Sequence, residues 1–205
     1  MKTIGIIPVR KGSNRFPGKN FSAFNETTLI RNTIDKLVRA RVDEIYISTD
    51  APEEVKANVV TPPAAFNKLY ILDRPTELAQ DDSKIEDVIL DVIEKLQYPP
   101  EEDYIIVLAQ VTSPNWSPHS LIYAIHRLED KNVDSVISVS PDLKPNGAFY
   151  VFKKSTFLIH ILIHNKIYSP NMYLVQLDWD ESADIDFEYQ WYIAQTIARG
   201  NYDKT

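Results

Sequence analysis

The 205-residue chain contains no cysteine. That absence excludes disulfide bridges, thiolate nucleophiles and cysteine-type zinc sites, and it suits a reducing compartment. No run of eighteen apolar residues occurs, so no membrane partner is expected. The amino terminus lacks a charged segment followed by an apolar stretch and a cleavage site, and a cytoplasmic location is expected. No G-x-G-x-x-G is present, which leaves a dinucleotide-binding fold without support. Positive charge is scarce as well. A net charge of −7 argues against broad nucleic-acid binding, which depends on Lys and Arg neutralising a phosphate backbone. What the chain does have is 44% hydrophobic content, enough at this length for one sizeable core and short for two, so residues 1–205 are expected to form a single domain.

Against the acidic background, the opening residues carry Lys2, Arg10, Lys11, Arg15 and Lys19 with no acid among them. Ile4, Ile6 and Ile7 are β-branched and stop at Pro8, which predicts a buried strand with an irregular exit. The basic loop therefore begins at a strand's C-terminal edge. Gly12, Ser13 and Gly18 let backbone amides approach a ligand, while Lys and Arg supply charge and forked donors, a combination suited to phosphate. The loop is not the familiar phosphate loop: Gly12 and Gly18 lie too far apart, and Asn20 stands where that motif places a metal-binding Ser or Thr. By itself, such a loop also suits a solvated surface.

Near the other end lies Asp184-Ile185-Asp186. Residues two apart in extended chain point to one side, so both carboxylates face one way while Ile185 turns toward the core. Paired carboxylates form a magnesium site when phosphates complete the shell. Asp186 could equally serve as the N-cap of the closing helix.

The segment PVRKGSNRFPGKN resembles the signature loop of the cytidylyltransferases that activate acidic sugars, the CMP-N-acetylneuraminate synthetase family. Arg10, Gly12, Ser13, Pro17, Lys19 and Asn20 match its pattern, and Asn14 departs from a usual Lys. The resemblance extends to Ser48-Thr49-Asp50, to Arg74-Pro75-Thr76-Glu77-Leu78-Ala79, to Gln110-Val111-Thr112-Ser113-Pro114, to Lys144-Pro145-Asn146-Gly147-Ala148, and to Ser182 through Glu188 as the family's metal signature. It implies that Arg10, Gly12, Ser13, Arg15, Lys19, Asn20 and Arg74 bind the nucleotide, CTP. It also implies that Asp184 and Asp186 hold Mg²⁺, and that Gln110, Lys144 and Asn146 meet the acceptor sugar. Arg10, Lys19, Asp184 and Asp186 are then the catalytic set, with no general base assigned.

Departures matter too. Val111 replaces a Pro, and Asn115-Trp116 stand where the family has Leu-Arg. Only Pro141, Asp142 and Leu143 occupy the place of the family's long dimerisation and sugar-holding arm. A monomer or a differently built homodimer follows.

Periodicity places helices over Thr28 to Ala40, from a Ser83-Glu86 capping box through Leu96, over Pro118 to Leu128, over Ser155 to His164, and over Phe187 to Arg199 before Gly200. Strands are expected at Glu44 to Asp50, Leu69 to Leu72, Tyr104 to Ala109, Asp134 to Ser140, Phe149 to Phe152 and Met172 to Leu177, with a turn at Thr61 to Ala65. Asp50 either shapes the nucleotide pocket or caps the segment starting at Pro52. The bland alternative for Arg74 is a surface salt bridge. His160 and His164 share a helix face but read as a structural pair, with no third ligand evident.

The expected architecture is α/β: three α/β/α layers around a mainly parallel sheet, Rossmann-like and similar to nucleotide-diphospho-sugar transferases, with a site at the strands' C-terminal edge. The expected reaction is transfer of CMP from CTP to a sialic-acid-like nonulosonate with release of pyrophosphate. Alternatives are another acceptor, such as a different sugar acid or a phosphonate, or a non-catalytic nucleotide-binding protein.

Overall fold

A computed structural model describes residues 1–13, 15–59, 66, 68–130 and 132–202. Asn14 and the turn expected at Thr61 to Ala65 lie outside the described residues.

Four strands run parallel in the half of the sheet that carries the basic loop: β1 (Thr3–Val9), β4 (Glu44–Thr49), β5 (Leu69–Asp73) and β6 (Ile105–Ala109). The other half holds β7 (Ser135–Val139), β8 (Pro145–Lys153) and β9 (Met172–Gln176). The full order is β5-β4-β1-β6-β8-β7-β9. β8 alone is reversed, since it pairs antiparallel with both β6 and β7 while β7 and β9 are parallel. A small ribbon, β2 (Ala23–Phe24) with β3 (Thr27–Thr28), stands apart.

The strand pleat explains the three layers. Ile7 and Val9 face one side, where they pack with Leu29, Ile34 and Leu37 of α1 (Leu29–Arg39), Val55 of α2 (Pro52–Asn58), Leu121 of α4 (Pro118–Asp130) and Ala194 of α6 (Glu188–Tyr202). Ile4 and Ile6 face the other side, with Ile89 and Val92 of α3 (Ile85–Lys95) and Phe157 of α5 (Lys154–His164). Alternate residues of one strand thus feed two cores, as expected for a sheet covered on both faces.

Several local expectations are corrected. Ser83 and Glu86 do not form a capping box: Lys84 takes the N-cap position. The Ser83 hydroxyl instead accepts from Gln80 N and donates to Glu77 O, both at 2.9 Å, and Glu86 accepts from Ile167 N at 3.1 Å. A local turn and a distant amide have claimed the two capping groups. α6 runs through Gly200 to Tyr202 rather than ending before it, because a glycine without positive φ does not by itself stop a helix. β8 extends from Pro145, earlier than the Phe149 start the sequence suggested. Its edge is set by a tight turn in which Ser140 N donates to Lys144 O and Leu143 N to Ser140 O, both at 2.9 Å, with Leu143 at a φ of 62°. His160 is spent on Asp134 at 3.3 Å and stacks on His164.

Because β8 is reversed, its first residues lie at the same edge as the C-terminal ends of the other strands. That edge collects the exits of β1, β4, β5, β6 and β9 together with Asn146 and Gly147. Among the described residues no helix is long and apolar enough to cross a membrane.

Candidate active site

After Val9 the chain leaves the sheet and is folded back by its own backbone. Gly18 has a φ of 71° and opens a 3₁₀ turn at Lys19–Phe21, a left-handed conformation that glycine adopts without steric cost. This reversal sends the Lys19 side chain inward, where only 10% of it is exposed. Asn20 Nδ2 donates to Arg10 O at 2.9 Å and closes the loop on itself. Lys11 N donates to Asp50 Oδ1 at 2.8 Å. Asp50 is therefore a brace for the loop and does not cap α2, whose N-cap residue Ala51 makes no side-chain capping bond.

The far end of the chain meets this loop. Lys19 Nζ donates to Ile185 O at 2.5 Å and lies 3.9 Å from Asp186 Oδ1, and Arg15 pairs with Asp186 Oδ2 at 3.0 Å. Ile185 is fully buried, as the alternation of the segment predicts. Asp186 does not cap the closing helix. Gln190 Oε1 accepts from Asp186 N at 2.8 Å and from Phe187 N at 2.7 Å, which leaves the Asp186 carboxylate to the two cations.

An open cleft of about 290 Å³ lies between these parts, near the lower end for small-molecule sites, roughly 300–1,000 Å³. It is lined by four cations, Arg10, Arg15, Lys19 and Arg74, against two carboxylates, Asp81 and Asp186, together with Gly12, Ser13, Asn20, Gln110, Val111 and Thr112. Such a surplus of enclosed positive charge suits a small polyanion.

The electrostatics show how closely these groups are packed. Burial pushes the Lys19 pKa down; Asp186 and Asp184 oppose that, while Arg15 and Arg10 add to it. Asp184 retains accessible surface, yet its surroundings are crowded. Loss of hydration raises its pKa, the like charge of Asp186 adds to the rise, and a hydrogen bond from Thr112 and the charge of Lys19 oppose it. Arg74 is buried, not a surface salt bridge. It donates to Ser48 Oγ at 3.0 Å and to Ser48 O at 2.5 Å, and burial pushes its pKa down to about 10 against the pull of Asp50 and Asp91.

Of the acceptor-side residues, Gln110 lines the cleft. A Cβ on Gly147, whose φ is 76°, would stand 2.6 Å from Gln110 Oε1, so the glycine is what lets Gln110 lie where it does. Asn146 does not line the cleft and serves as a joint. Its Oδ1 accepts from Ser138 Oγ at 2.7 Å and from Ala148 N at 3.2 Å, and its Nδ2 donates to Ser182 Oγ at 3.2 Å. Lys144 is 79% exposed, pairs with Asp142 at 2.7 Å and also stays outside the cleft lining.

Two participants had no role assigned to them from the sequence. Asp81 pairs with Arg10 at 2.6 Å, and its position in a polar loop after Ala79 gave no hint of that partner. Thr112 binds Asp184 through its hydroxyl and accepts from Ile185 N at 2.8 Å through its carbonyl. Thr112 belongs to a recognisable motif, but its role needed the fold.

Comparison with known proteins bears on the family and the fold. Among curated relatives, CMP-N,N'-diacetyllegionaminic acid synthase of Legionella pneumophila is 33% identical over 150 residues, covering 71% of this chain and 61% of the relative. The N-acylneuraminate cytidylyltransferase of Streptococcus agalactiae serotype V is 24% identical over 223 residues, covering 91% of this chain and 51% of the relative. The chain thus spans about half to three fifths of the length of these relatives. Among solved structures, CMP:2-keto-3-deoxy-manno-octonic acid synthetase complexed with CTP matches with a TM-score of 0.70 at 14% identity, over 98% of this chain and 100% of that one. That likeness is one of fold. Residues 4–190 match the family model described as Cytidylyltransferase, and the chain belongs to the cytidylyltransferase family.

Proposed function

We propose that this protein transfers CMP from CTP to an acidic sugar of the sialic-acid-like nonulosonate class and releases pyrophosphate. The observation that carries this reading is the junction of Lys19 with Ile185 and Asp186 at a cleft of surplus positive charge, which Asp186 lines and Asp184 adjoins from outside the lining.

In the reaction an acceptor oxygen attacks the α-phosphorus of CTP. The new O–P bond forms as the bond to the bridging oxygen of the β-phosphate breaks, pyrophosphate keeps the electron pair, and the acceptor oxygen gives up its proton. Transfer of this kind is governed by alignment and charge neutralisation. Arg10, Arg15 and Lys19 hold the phosphates, with Gly12, Ser13 and Asn20 shaping the loop around them. Arg74, fixed on Ser48, adds enclosed positive charge on the β4 and β5 side. Gln110 orients the acceptor from the exit of β6. Lys144 and Asn146, outside the lining, act on the acceptor only through the wall they help to build.

Asp184 and Asp186 fit a hard divalent cation. Asp184 is a carboxylate whose charge is opposed by lost hydration and by its neighbour, a penalty that a bound Mg²⁺ would relieve. Mg²⁺ characteristically takes one or two carboxylates and completes its shell with phosphates and water. Among the described residues no group of three or more metal-type side chains occurs, so phosphate and water would have to supply the rest of the shell. When bound, the ion supplies charge neutralisation for the triphosphate.

A second reading keeps the chemistry and changes the acceptor, to another sugar acid or a phosphonate. It draws on the cleft wall at Gln110, Val111 and Thr112, which is uncharged. The tight Ser140–Lys144 turn leaves no arm for self-association at that hairpin, so we infer a monomer or a dimer built elsewhere. Light scattering that shows a dimer held through residues 134–148 overturns that inference.

The deciding experiment is pyrophosphate release from CTP and Mg²⁺ with a panel of acidic sugars. Turnover with nonulosonates is the expected outcome. Turnover with other acids alone selects the second reading, and CTP binding without turnover overturns both. Asp186→Asn is expected to abolish turnover with the fold intact, and unchanged activity in that variant removes the metal assignment.

A further inference from the structure

Behind the cleft wall, the loop that leaves β6 is held by α1. Lys36 Nζ donates to the carbonyl of Pro114 and, at 2.6 Å, to that of Trp116, and it lies 5.3 Å from the centre of the Trp116 indole. Asn32, one turn earlier on α1, donates to the same Pro114 oxygen at 2.9 Å. Trp116 is fully buried and packs edge-on against Phe149. Its indole Nε1 and the Asn115 Oδ1 are buried with no hydrogen-bond partner among the described residues. The helix behind the loop satisfies two of its backbone carbonyls, while these two side-chain groups stay unpartnered.

An ammonium is a costly group to enclose for this purpose. Burial pushes the Lys36 pKa down to about 7. The charged groups that face it are Glu181, which favours the proton, and Arg39 on its own helix, which disfavours it. Glu181 is engaged on the other side, accepting from Ser117 N at 2.6 Å and Ser120 Oγ at 3.0 Å. Packing alone would be better served by an apolar side chain of the same length.

The same loop forms the cleft at its other end. Gln110, Val111 and Thr112 line the cleft, and Thr112 grips the acidic segment through Asp184 and Ile185 N. Ser113 Oγ donates to Asn146 O at 3.0 Å and ties the loop to the start of β8.

We propose that Lys36 is a positioning residue of the active site: by holding the Pro114 and Trp116 carbonyls it fixes the 110–116 loop, and through Thr112 it sets the acidic segment against the acceptor side of the cleft. It touches neither nucleotide nor acceptor. The kinetic part of this proposal rests on the nucleotidyl-transfer reading; the spectroscopic part does not.

The test compares wild type with Lys36→Met, which keeps the stem and removes the charge. The difference in tryptophan fluorescence between the two is expected to titrate near pH 7, because loss of the ammonium changes the surroundings of Trp116. Identical tryptophan emission in the two proteins at every pH from about 6 to about 9 overturns the contact. In steady-state assays, kcat is expected to fall about tenfold and the acceptor KM to rise, while the KM for CTP moves less than about threefold, since Lys36 holds the carbonyls of Pro114 and Trp116 and not the phosphate-side residues Arg10, Arg15 and Lys19. Equal losses in both KM values together with a lowered thermal midpoint indicate general damage and overturn positioning. Should Lys36→Met fail to fold, Asn32→Ala removes the second donor on Pro114. It is expected to show the same pattern at about a few-fold, and an unmoved acceptor KM overturns the proposal. If the wild type turns over no acceptor, the functional reading fails, and the fluorescence titration still decides the Lys36 contact.

Discussion

Glu44 and Asp184 are both carboxylates crowded by protein at edges of the same sheet, Glu44 buried and Asp184 still exposed, and their surroundings treat the charge in opposite ways. At the N-terminal edge, burial alone would raise the Glu44 pKa. The hydroxyls of Tyr98 and Tyr46 and the ammonium groups of Lys2, at 3.5 Å, and Lys68, at 3.7 Å, outweigh burial and leave it lowered. At the C-terminal edge, burial also raises Asp184, but Asp186 adds to the rise and the compensation from Thr112 and Lys19 is insufficient. One cluster closes on itself and serves the fold. The other gathers charges that their neighbours do not balance, which is the mark of a site built for a ligand.

The sharpest way to break this contrast is Lys19→Met. It removes the cation that joins the loop to the acidic segment, and a loss of about 10³-fold in kcat is expected, with the fold intact by circular dichroism. A loss below about tenfold means that charge in the cleft does not act on the transferring phosphate. Asp184→Asn comes next, with a loss of about 10²-fold and, unlike most substitutions, a higher thermal midpoint at neutral pH. The sign follows from the raised pKa. The folded chain takes up the proton more readily than the unfolded one, so stability is lost as pH rises through the folded pKa. The gain from the variant should therefore vanish in acid, and a lower midpoint at neutral pH refutes the electrostatic assignment.

Gly147→Ala has a smaller effect. Strain at positive φ and the approach to Gln110 should cost about 1–2 kcal/mol in denaturant unfolding and raise the acceptor KM several-fold through displacement of the Gln110 amide. An unmoved acceptor KM removes Gln110 from acceptor binding. Smallest in turnover is Glu44→Gln. Activity should match wild type while stability falls by about 1–3 kcal/mol. Because the Glu44 pKa is lowered, that contribution is present above about pH 4.5 and is lost as pH falls through the folded pKa, so the variant and wild type should converge in acid. Impaired turnover at neutral pH breaks the division between the two edges.

Much of this was legible along the chain. The β-branched run ending at Pro8, the periodic apolar residues of α1 and the alternation around Ile185 depend on near neighbours, and they placed strand, helix and acidic pair correctly. Where capping groups had competing partners, local reading failed. Ser83 and Glu86 have the spacing of a capping box, but Gln80 and Ile167 hold them; Asp50 precedes Pro52 as a cap would, but the Lys11 amide claims it. Lys144 and Asn146 sit in a recognisable motif, yet only Gln110, opposite Gly147, lines the cleft. Lys36 was unreadable because an amphipathic helix presents a lysine on its flank in either case, and only the folded chain shows two carbonyls closing over it.

The sequence by itself determined the order of the main helices and strands and which residues are candidates for phosphate and metal binding, because both follow from side-chain identity and short-range periodicity. Only the tertiary structure decided that Lys19 meets Ile185 across 166 positions, that β8 runs backward and brings Gly147 beneath Gln110, and that Lys36 lies behind the wall of the cleft. Those contacts come from strand pairing and from burial on two faces of a shared sheet, where the nearest partner of a charge is set by topology rather than by distance along the chain.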